Sequence, residues 1–197
     1  MKILKKPMGA YQTNCYVVNI DNKDIIIDPG VGALSWLKQN VKNPIAILNT
    51  HGHFDHVWSN SEVKEFFKIP IYCPKGDIFM LKNDPFSQGT PPSDADFAIV
   101  GDKKFKIDGI LIEYLHMPGH TPGNSVINIE NSMFSGDFVF ENSIGRVDFP
   151  YSNPQDMKNS IKKFLALKYD KTIYPGHGNN TTVKIEQSRI GNWLRFI

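Results

Sequence analysis

Length, composition and charge place this chain among ordinary globular proteins and exclude several other classes. Its 197 residues are 41% hydrophobic and 21% charged, which excludes intrinsic disorder and leaves enough apolar side chains for a substantial core. The net charge of +2 is small and the lysines are spread along the chain, which argues against a nucleic-acid or membrane-surface partner.

The N-terminus and the cysteines predict a cytoplasmic protein. Residues 1–6 are basic, but no apolar stretch follows, so they do not resemble a signal peptide. No apolar run approaches the roughly 20 residues that cross a bilayer. Cys15 and Cys73 lie far apart in strand-like segments and lack the spacing of a metal site, so we expect free buried thiols in a reducing compartment.

Strand-like and helical runs alternate along the chain. Runs bounded by turn residues predict strands at 15–20, 24–28, 45–49, 69–73, 110–116, 125–129, 132–135 and 172–174. Apolar residues at helical spacing predict helices at 33–40, 57–67, 77–82, 154–167 and 183–196. Asn153 followed by Pro154 is typical of a capped helix start. We therefore predict one α/β domain over residues 1–197.

Residues 83–96 show no periodicity and contain three prolines and a glycine, so a loop is predicted there. Long loops usually carry function or move. We expect this loop and the helix at 183–196 to line a substrate pocket or an oligomer interface, in a monomer or a small homo-oligomer. The alternative for the helix is that it covers a sheet, with its apolar residues in the core.

The six histidines are clustered along the sequence. Five of them lie in three short segments, which are THGHFDH at residues 50–56, GHT at 119–121 and GHG at 176–178. Each segment comes shortly after a predicted strand. Because loops at strand ends carry functional residues in α/β folds, these histidines are candidates for one shared site.

The spacing within the first segment predicts metal binding. In an extended segment, residues i and i+2 point the same way, so His51 and His53 can bind one ion together. If the chain then turns into the helix near residue 57, Asp55 and His56 point elsewhere and can reach a second ion. Imidazole and carboxylate ligands suit zinc, manganese or iron. The alternative, unrelated polar loop residues, would require four ligand-type residues to fall within six positions by coincidence.

Two further residues allow more than one interpretation. His116 lies inside the predicted strand 110–116, which favours a core histidine, or one that supports a ligand from outside, over a ligand. Asp137 follows a strand-like run and Gly136. A carboxylate at that point can bridge two ions, and the alternative is a turn residue.

These motifs resemble those of the metallo-β-lactamase superfamily and, within it, its glyoxalase II-like (hydroxyacylglutathione hydrolase) branch. The matching segments are DPG at 28–30, THGHFDH at 50–56, PGHTPG at 118–123, GDFVF at 136–140, SIGRVDF at 143–149 and PGHG at 175–178. They occur in the family's order and span nearly the whole chain. The resemblance implies a four-layer αββα sandwich, in which two mixed β-sheets pack face to face with helices outside and the metal site lies at one edge.

The resemblance also implies which residues bind metal. Two divalent ions are expected, Zn²⁺ first and Fe or Mn as alternatives. By matching position, the ligands of the first ion are His51, His53 and His120. Those of the second ion are Asp55, His56 and His177. Asp137 would bridge the two ions, and Asp28 would brace the histidine loop.

The activity implied by the resemblance is hydrolysis of a small-molecule thioester. Metal binding lowers the pKa of water from ~15.7 to ~7, so a nucleophile for a carbonyl carbon is available near neutral pH. A thioester suits this chemistry because the thiolate leaves readily. Asp55 would orient the water or carry a proton. The expected substrates are S-acyl thiols similar to S-lactoylglutathione.

Departures from the family pattern narrow this expectation. Asp137 stands where the best-known β-lactamase subclass has a cysteine ligand, which argues against antibiotic hydrolysis. Only 20 residues follow His177, so we expect no separate C-terminal helical domain of the kind that helps glyoxalase II hold glutathione. Arg146 matches the basic residue that binds the glutathione carboxylate, but Asp148 stands at a tyrosine position. A structural ion pair between Arg146 and Asp148 is the alternative.

Three other functions stay open from the sequence. A persulfide dioxygenase would hold one iron through His51, His120 and Asp137. A lactonase or phosphodiesterase would use the same scaffold. A non-catalytic metal-binding module is disfavoured, because structural zinc sites are closed whereas this ligand set leaves open coordination.

Overall fold

Two six-stranded sheets lie at the centre of the molecule in the computed structural model, which describes residues 1–197. The first sheet contains, in spatial order, β1 (Lys2–Met8), β2 (Thr13–Ile20), β3 (Lys23–Ile27), β4 (Pro44–Leu48), β5 (Ile71–Pro74) and β6 (Phe97–Ile99). Strands β1 to β3 pair antiparallel, whereas β3 to β6 pair parallel. The carboxyl ends of β3, β4 and β5 therefore meet at one edge of this sheet.

The second sheet is also mixed. Its spatial order is β14 (Thr181–Thr182), β13 (Thr172–Pro175), β10 (Ser132–Gly136), β9 (Ser125–Ile129), β8 (Ile110–His116) and β7 (Lys103–Ile107). Strands β10 and β13 pair parallel, and β9 lies antiparallel between β8 and β10. Strands β8, β10 and β13 therefore run in the same direction and end at the same edge. A separate hairpin is formed by β11 (Val139–Phe140) and β12 (Ser143–Ile144).

Helices cover the outer face of each sheet. They are α1 (Ala33–Asn40), α2 (Phe54–Val57), α3 (Asn60–Phe67), α4 (Ile78–Asn83), α5 (Pro154–Leu165) and α6 (Val183–Ile190). Short 3₁₀ turns at Lys75–Asp77 and Gly191–Arg195 precede α4 and follow α6. Helix α5 begins as predicted, since the Asn153 side chain accepts hydrogen bonds from the backbone N–H groups of Gln155 and Asp156. None of the helices is long and apolar enough to cross a membrane.

The apolar side chains form three layers of core. In β3, Ile25 and Ile27 point into the core between the two sheets, whereas Ile26 points into the core beneath α1 and α3. A third core lies between the second sheet and helices α5 and α6. Because both faces of each sheet are covered, central strands read as continuous apolar runs. The predicted αββα sandwich of two mixed sheets is confirmed.

All eight predicted strands are present, with ends that differ by at most two residues. Six strands were not predicted: β1, β6, β7, β11, β12 and β14. Four of them are the edge strands of the two main sheets, and β1 and β7 are rich in lysine, which protects an exposed edge from pairing with another chain. Such strands lack the alternating apolar pattern on which the prediction depended.

Two predicted helices are divided in the structure. The helix expected at 57–67 begins at Phe54 and breaks at residues 58–59, because the Ser59 N–H bonds to the carbonyl of Pro29 instead of continuing the helix. The helix expected at 183–196 ends at Ile190, and a 3₁₀ turn starts at Gly191. Cys15 and Cys73 are free and buried, as predicted.

Candidate metal centre

The segments that carry the predicted ligands meet at one edge of the sandwich. Residues 50–56 follow β4 in the first sheet, while His120, Asp137 and His177 follow β8, β10 and β13 in the second. The backbone N–H of Ser125 donates to the carbonyl of Thr50 at 3.0 Å, which joins the two sheets beside His51. The shared strand direction within each sheet is therefore what assembles the site.

The structure brings the side chains of each predicted ligand group close together. Candidate ligand atoms of His51, His53 and His120 lie within 4.8 Å of one another. Nδ1 of His53 faces Nε2 of His120 at 2.8 Å. The same spacing holds for Asp55, His56 and His177. All of these side chains are buried except His177, which is half-buried.

Asp137 lies between the two groups. One carboxylate oxygen, Oδ1, is 3.3 Å from Nε2 of His56. The other, Oδ2, is 3.5 Å from Nε2 of His120 and 3.4 Å from Nε2 of His177. A side chain at Gly176 would collide with this carboxylate, so the glycine is required at that position. Asp137 is thus placed as a residue that bridges two ions would be.

Four of the histidines have one ring nitrogen fixed by a partner outside the cluster. The Nδ1 partners are Thr50 Oγ1 for His51 at 3.0 Å, Asp28 Oδ2 for His56 at 3.0 Å, the Arg146 carbonyl for His120 at 2.8 Å and the Tyr11 carbonyl for His177 at 3.0 Å. The carbonyls and the carboxylate can only accept, so in His56, His120 and His177 the proton resides on Nδ1. With Nδ1 held in this way, Nε2 of His56, His120 and His177 lies against the carboxylates of the cluster, as is usual for histidines that bind metal.

Several buried polar atoms in the cluster have no hydrogen-bond partner. They are Nε2 of His51, His53 and His56, and Oδ1 of Asp137. An unsatisfied buried polar group costs about 1–3 kcal/mol, so a cluster of them needs a compensating ligand. Imidazole and carboxylate lone pairs that lie within 4.8 Å of one another are satisfied by a cation. The residues present therefore fit divalent metal ions.

The electrostatics of the first group, and of Asp55 in the second, favour the protonation states that metal ligands need. Burial, together with the neighbouring His120, lowers the pKa of His53 to about 3. Burial also lowers the pKa of His51 and His120. Burial opposes ionisation of Asp55, but the charge of His56 and the hydrogen bond from His177 outweigh it and lower the pKa of Asp55 to about 2. At neutral pH these imidazoles are neutral and Asp55 is ionised.

Asp28 supports the cluster from behind. Its Oδ1 accepts from the Thr50 N–H at 2.8 Å, and its Oδ2 accepts from the Thr50 hydroxyl at 2.6 Å as well as from His56. Asp28 also lies within 4.8 Å of ligand atoms of His51 and His56. Because both of its oxygens already accept hydrogen bonds, the position suits a bracing residue better than a ligand.

His116 and Thr13 also contribute from outside the cluster. His116 is half-buried at the end of β8, and its Nε2 donates to the carbonyl of Pro122 at 2.9 Å. It therefore contacts the loop that follows His120 and is not a core residue. The hydroxyl of Thr13 donates to Oδ2 of Asp55 at 2.5 Å. Sequence reasoning missed Thr13, which lies 42 positions before its partner with no motif around it.

A cavity of 520 Å³ opens onto the cluster. Besides the candidate ligands, its walls are formed by Tyr11, Phe54, Phe86, Gln88, Arg146 and Phe149. Phe86 and Gln88 belong to the loop 83–96, so this loop lines the cavity beside the candidate ligands. Helix α6 packs Val183 and Ile190 into the outer core, in agreement with the alternative interpretation, whereas Ile185 and Phe196 are exposed. A larger surface groove of 620 Å³ contains none of the candidate ligands.

Arg146 and Asp148 form an exposed ion pair at the mouth of this cavity. Nε and Nη2 of Arg146 donate to the two carboxylate oxygens of Asp148 at 2.9 and 2.7 Å. The guanidinium also lies 4.1 Å from the centre of the Phe149 ring. In this structure the carboxylate that Arg146 binds is therefore an internal one.

The fold and the site define a member of the metallo-β-lactamase superfamily. The family model described as the metallo-beta-lactamase superfamily matches residues 8–177, and the chain belongs to this family. It is a metallo-hydrolase by that membership. Hydroxyacylglutathione hydrolase GloC of Haemophilus influenzae is 36% identical over 200 residues, which cover 92% of each chain.

Two solved structures are similar over almost their full length. The BLEG-1 B3 metallo-beta-lactamase is 33% identical, with a TM-score of 0.85 over 95% of this chain and 97% of that one. TTHA1623 in a di-iron-bound form is 29% identical, with a TM-score of 0.83 over 94% of this chain and 98% of that one. These similarities agree with the resemblance that the sequence motifs predicted.

Proposed function

We propose that this protein is a dinuclear metal-dependent thioesterase that hydrolyses S-acyl thiols similar to S-lactoylglutathione. The observation that carries the proposal is the position of Asp137 between two groups of candidate ligands at the base of an open cavity. The ligands in this proposal are His51, His53 and His120 for one ion, and Asp55, His56 and His177 for the other. We also propose that one domain, residues 1–197, forms the whole site, because all of these residues and the cavity walls belong to the sandwich.

The bound ions and the residues around them have separate roles in the proposed reaction. Bound divalent ions supply an activated water and positive charge for the oxyanion that develops on the substrate. Asp55 is ionised and faces the centre of the cluster, so its carboxylate can accept a hydrogen bond from the attacking water and orient it. Thr13 holds that carboxylate in place. Asp137 keeps the two groups of ligands together.

The side chains on the cavity walls restrict which leaving groups the reaction can release. Apart from the candidate ligands, its walls carry no carboxylic acid, histidine or lysine that could protonate a leaving group. A leaving group that departs as an anion is therefore favoured. A thiol with a pKa of about 8.5 meets this condition, whereas an alkoxide does not. The similarity to hydroxyacylglutathione hydrolase GloC supports the same substrate class.

The identity of the metal is part of the proposal. A ligand set of imidazoles and carboxylates suits Zn²⁺, and it also accepts iron and manganese. The di-iron form of TTHA1623 supports iron as the alternative for this chain. We propose Zn²⁺, and metal analysis of the purified protein distinguishes these ions.

The test is hydrolysis of S-lactoylglutathione by protein loaded with Zn²⁺. We expect release of glutathione with wild type and a loss of at least 100-fold in kcat with Asp137→Asn. Asp108→Asn, a change of the same kind at an exposed turn between β7 and β8, is the control and should leave kcat unchanged. Oxygen uptake on glutathione persulfide with one iron per chain would identify a dioxygenase instead. Faster turnover of a β-lactam than of any thioester would favour the activity named for BLEG-1.

A further inference from the structure

Asp77 lies outside the cavity and is not a candidate ligand. It ends the 3₁₀ turn that follows β5, and its side chain is fully buried. It is also one of the few buried carboxylates for which the proposed reaction has no use. Its role can be inferred from its hydrogen bonds.

The Asp77 carboxylate joins the two segments that carry the ligands of the first ion. Oδ2 accepts from the backbone N–H of Gly52 at 2.9 Å and from the hydroxyl of Thr121 at 2.6 Å. Oδ1 accepts from the backbone N–H of Gly123 at 2.6 Å. Gly52 lies between His51 and His53, and Thr121 follows His120. One carboxylate therefore fixes all three predicted ligands of the first ion relative to one another.

The close approach of Asp77 requires glycine on both segments. A side chain at Gly52 would place its Cβ 2.9 Å from Cβ of Asp77. A Cβ at Gly123 would lie 2.7 Å from Oδ1 of Asp77. Both distances are shorter than a non-bonded contact of a Cβ atom can be. The two glycines and the aspartate therefore act as one unit, which leaves little freedom in the spacing of the segments.

We propose that Asp77 is a positioning residue that sets the separation of His51 and His53 from His120 and thereby the affinity of the first metal ion. The inference rests on the proposed metal centre. The second group of ligands has separate supports, since Asp28 holds His56, Thr13 holds Asp55 and the Tyr11 carbonyl holds His177. Loss of Asp77 should therefore weaken binding of the first ion and leave binding of the second unchanged.

The test compares Asp77→Asn with Asp24→Asn. Asp24 is a matched control, because it is also a buried carboxylate that accepts two backbone N–H groups, from Lys42 and Asn43, and one side-chain N–H, from Asn19. It lies in β3, outside the metal site. Both variants lose a hydrogen-bonded carboxylate charge, so both should lower the Tm. In Asp77→Asn, the amide N–H₂ also faces the backbone N–H of Gly52 or Gly123. Two donors cannot share a hydrogen bond, so the segments that carry these glycines should move apart.

Stepwise titration of the metal-free protein with Zn²⁺ against a competing chelator is the readout, and His53→Ala identifies the step that belongs to the first ion. We expect Asp77→Asn to weaken that step by about 10- to 100-fold and to leave the other unchanged. Asp24→Asn should change neither step. Equal weakening of both steps, or no difference between the two variants, would overturn the proposal.

Two further results separate the possible failures. If Asp77→Asn does not fold, Thr121→Val replaces it, since this change removes one hydrogen bond to Asp77 at nearly constant volume. It should weaken the same step to a smaller extent, and an unchanged step would count against the inference. If wild type binds no second ion or hydrolyses no thioester, the proposed function fails. If wild type does both while Asp77→Asn titrates like Asp24→Asn, only the role of Asp77 fails.

Discussion

The Asp28 carboxylate accepts a hydrogen bond from Nδ1 of His56 at 3.0 Å, and the same imidazole leaves Nε2 buried without a hydrogen-bond partner. The pair joins two segments that are 28 positions apart. One ring nitrogen of His56 is thus held by the protein, and the other is available to a cation. A support on Nδ1 recurs at His51, His120 and His177 with other partners.

The first prediction concerns this support. Asp28→Asn should weaken binding of the second ion by about 10- to 100-fold, because the amide cannot hold His56 as the carboxylate does. Binding of the first ion should weaken as well, because Asp28 also holds Thr50, which supports His51. It should also lower the free energy of unfolding by about 1–3 kcal/mol, since buried donors lose their acceptor. Chelator titration and urea unfolding measure the two effects. Wild-type affinity in a variant that is less stable would show that Asp28 serves the fold alone.

A second prediction concerns the ion pair at the mouth of the cavity. Asp148→Asn frees the Arg146 guanidinium, so kcat/KM for a thioester that carries a carboxylate on its thiol should rise by roughly two- to fivefold, the range that exposed ion pairs reach. A neutral thioester with the same acyl group should be unaffected. Glu113→Gln removes the partner of Lys104 outside the cavity and is the control. An equal change for both substrates would contradict a specific role for the pair.

A third prediction concerns the pH dependence of the metal-free protein. Burial opposes protonation of His177, but hydrogen bonds to Asp137 and Asp55 outweigh it and raise its pKa to about 9. Likewise, burial is outweighed at His56 by the charges of Asp55 and Asp137, which raise its pKa above the ordinary value. A folded-state pKa above the unfolded value of about 6.5 means that the proton stabilises the fold. This stability is fully present below pH 6.5 and is lost as the pH rises to 9.

Thermal unfolding of the metal-free protein at several pH values between 6 and 10 measures this effect. The Tm of wild type should fall as the pH rises from 6.5 to 9. The Tm of His177→Gln should fall less, because one of the two titrating groups is gone. The metal-loaded protein should show a flatter curve, since metal binding displaces the proton from both histidines. A metal-free protein whose Tm rises between pH 6.5 and 9 would contradict the raised pKa of His177.

Much of the fold was predictable because local patterns agree with it. Helix α1 and strands β8 and β9 lie at the predicted residues, since their apolar positions face a core and turn residues bound them. The break at Ser59 was not predictable, because it depends on a hydrogen bond to Pro29, which is distant in sequence. The lysine-rich strand β1 was missed because its pattern reflects an edge that must stay exposed.

The candidate site divides in the same way. Histidines in short motifs at strand ends were found, and the structure brings them together with Asp55 and Asp137. Asp77 was predicted only to start a helix, although it follows a strand at the same sheet edge as Asp28, which was a usable signal. Its partners Gly52 and Gly123 are 25 and 46 positions away, so its role required the tertiary structure.

The central claim is that two groups of ligands bind two ions, and counting metal ions per chain tests it most directly. Wild type saturated with Zn²⁺ and freed of excess metal should hold two ions, whereas His53→Ala and His177→Ala should each hold one. A wild type with a single ion, which persists in His177→Ala, would contradict the dinuclear account.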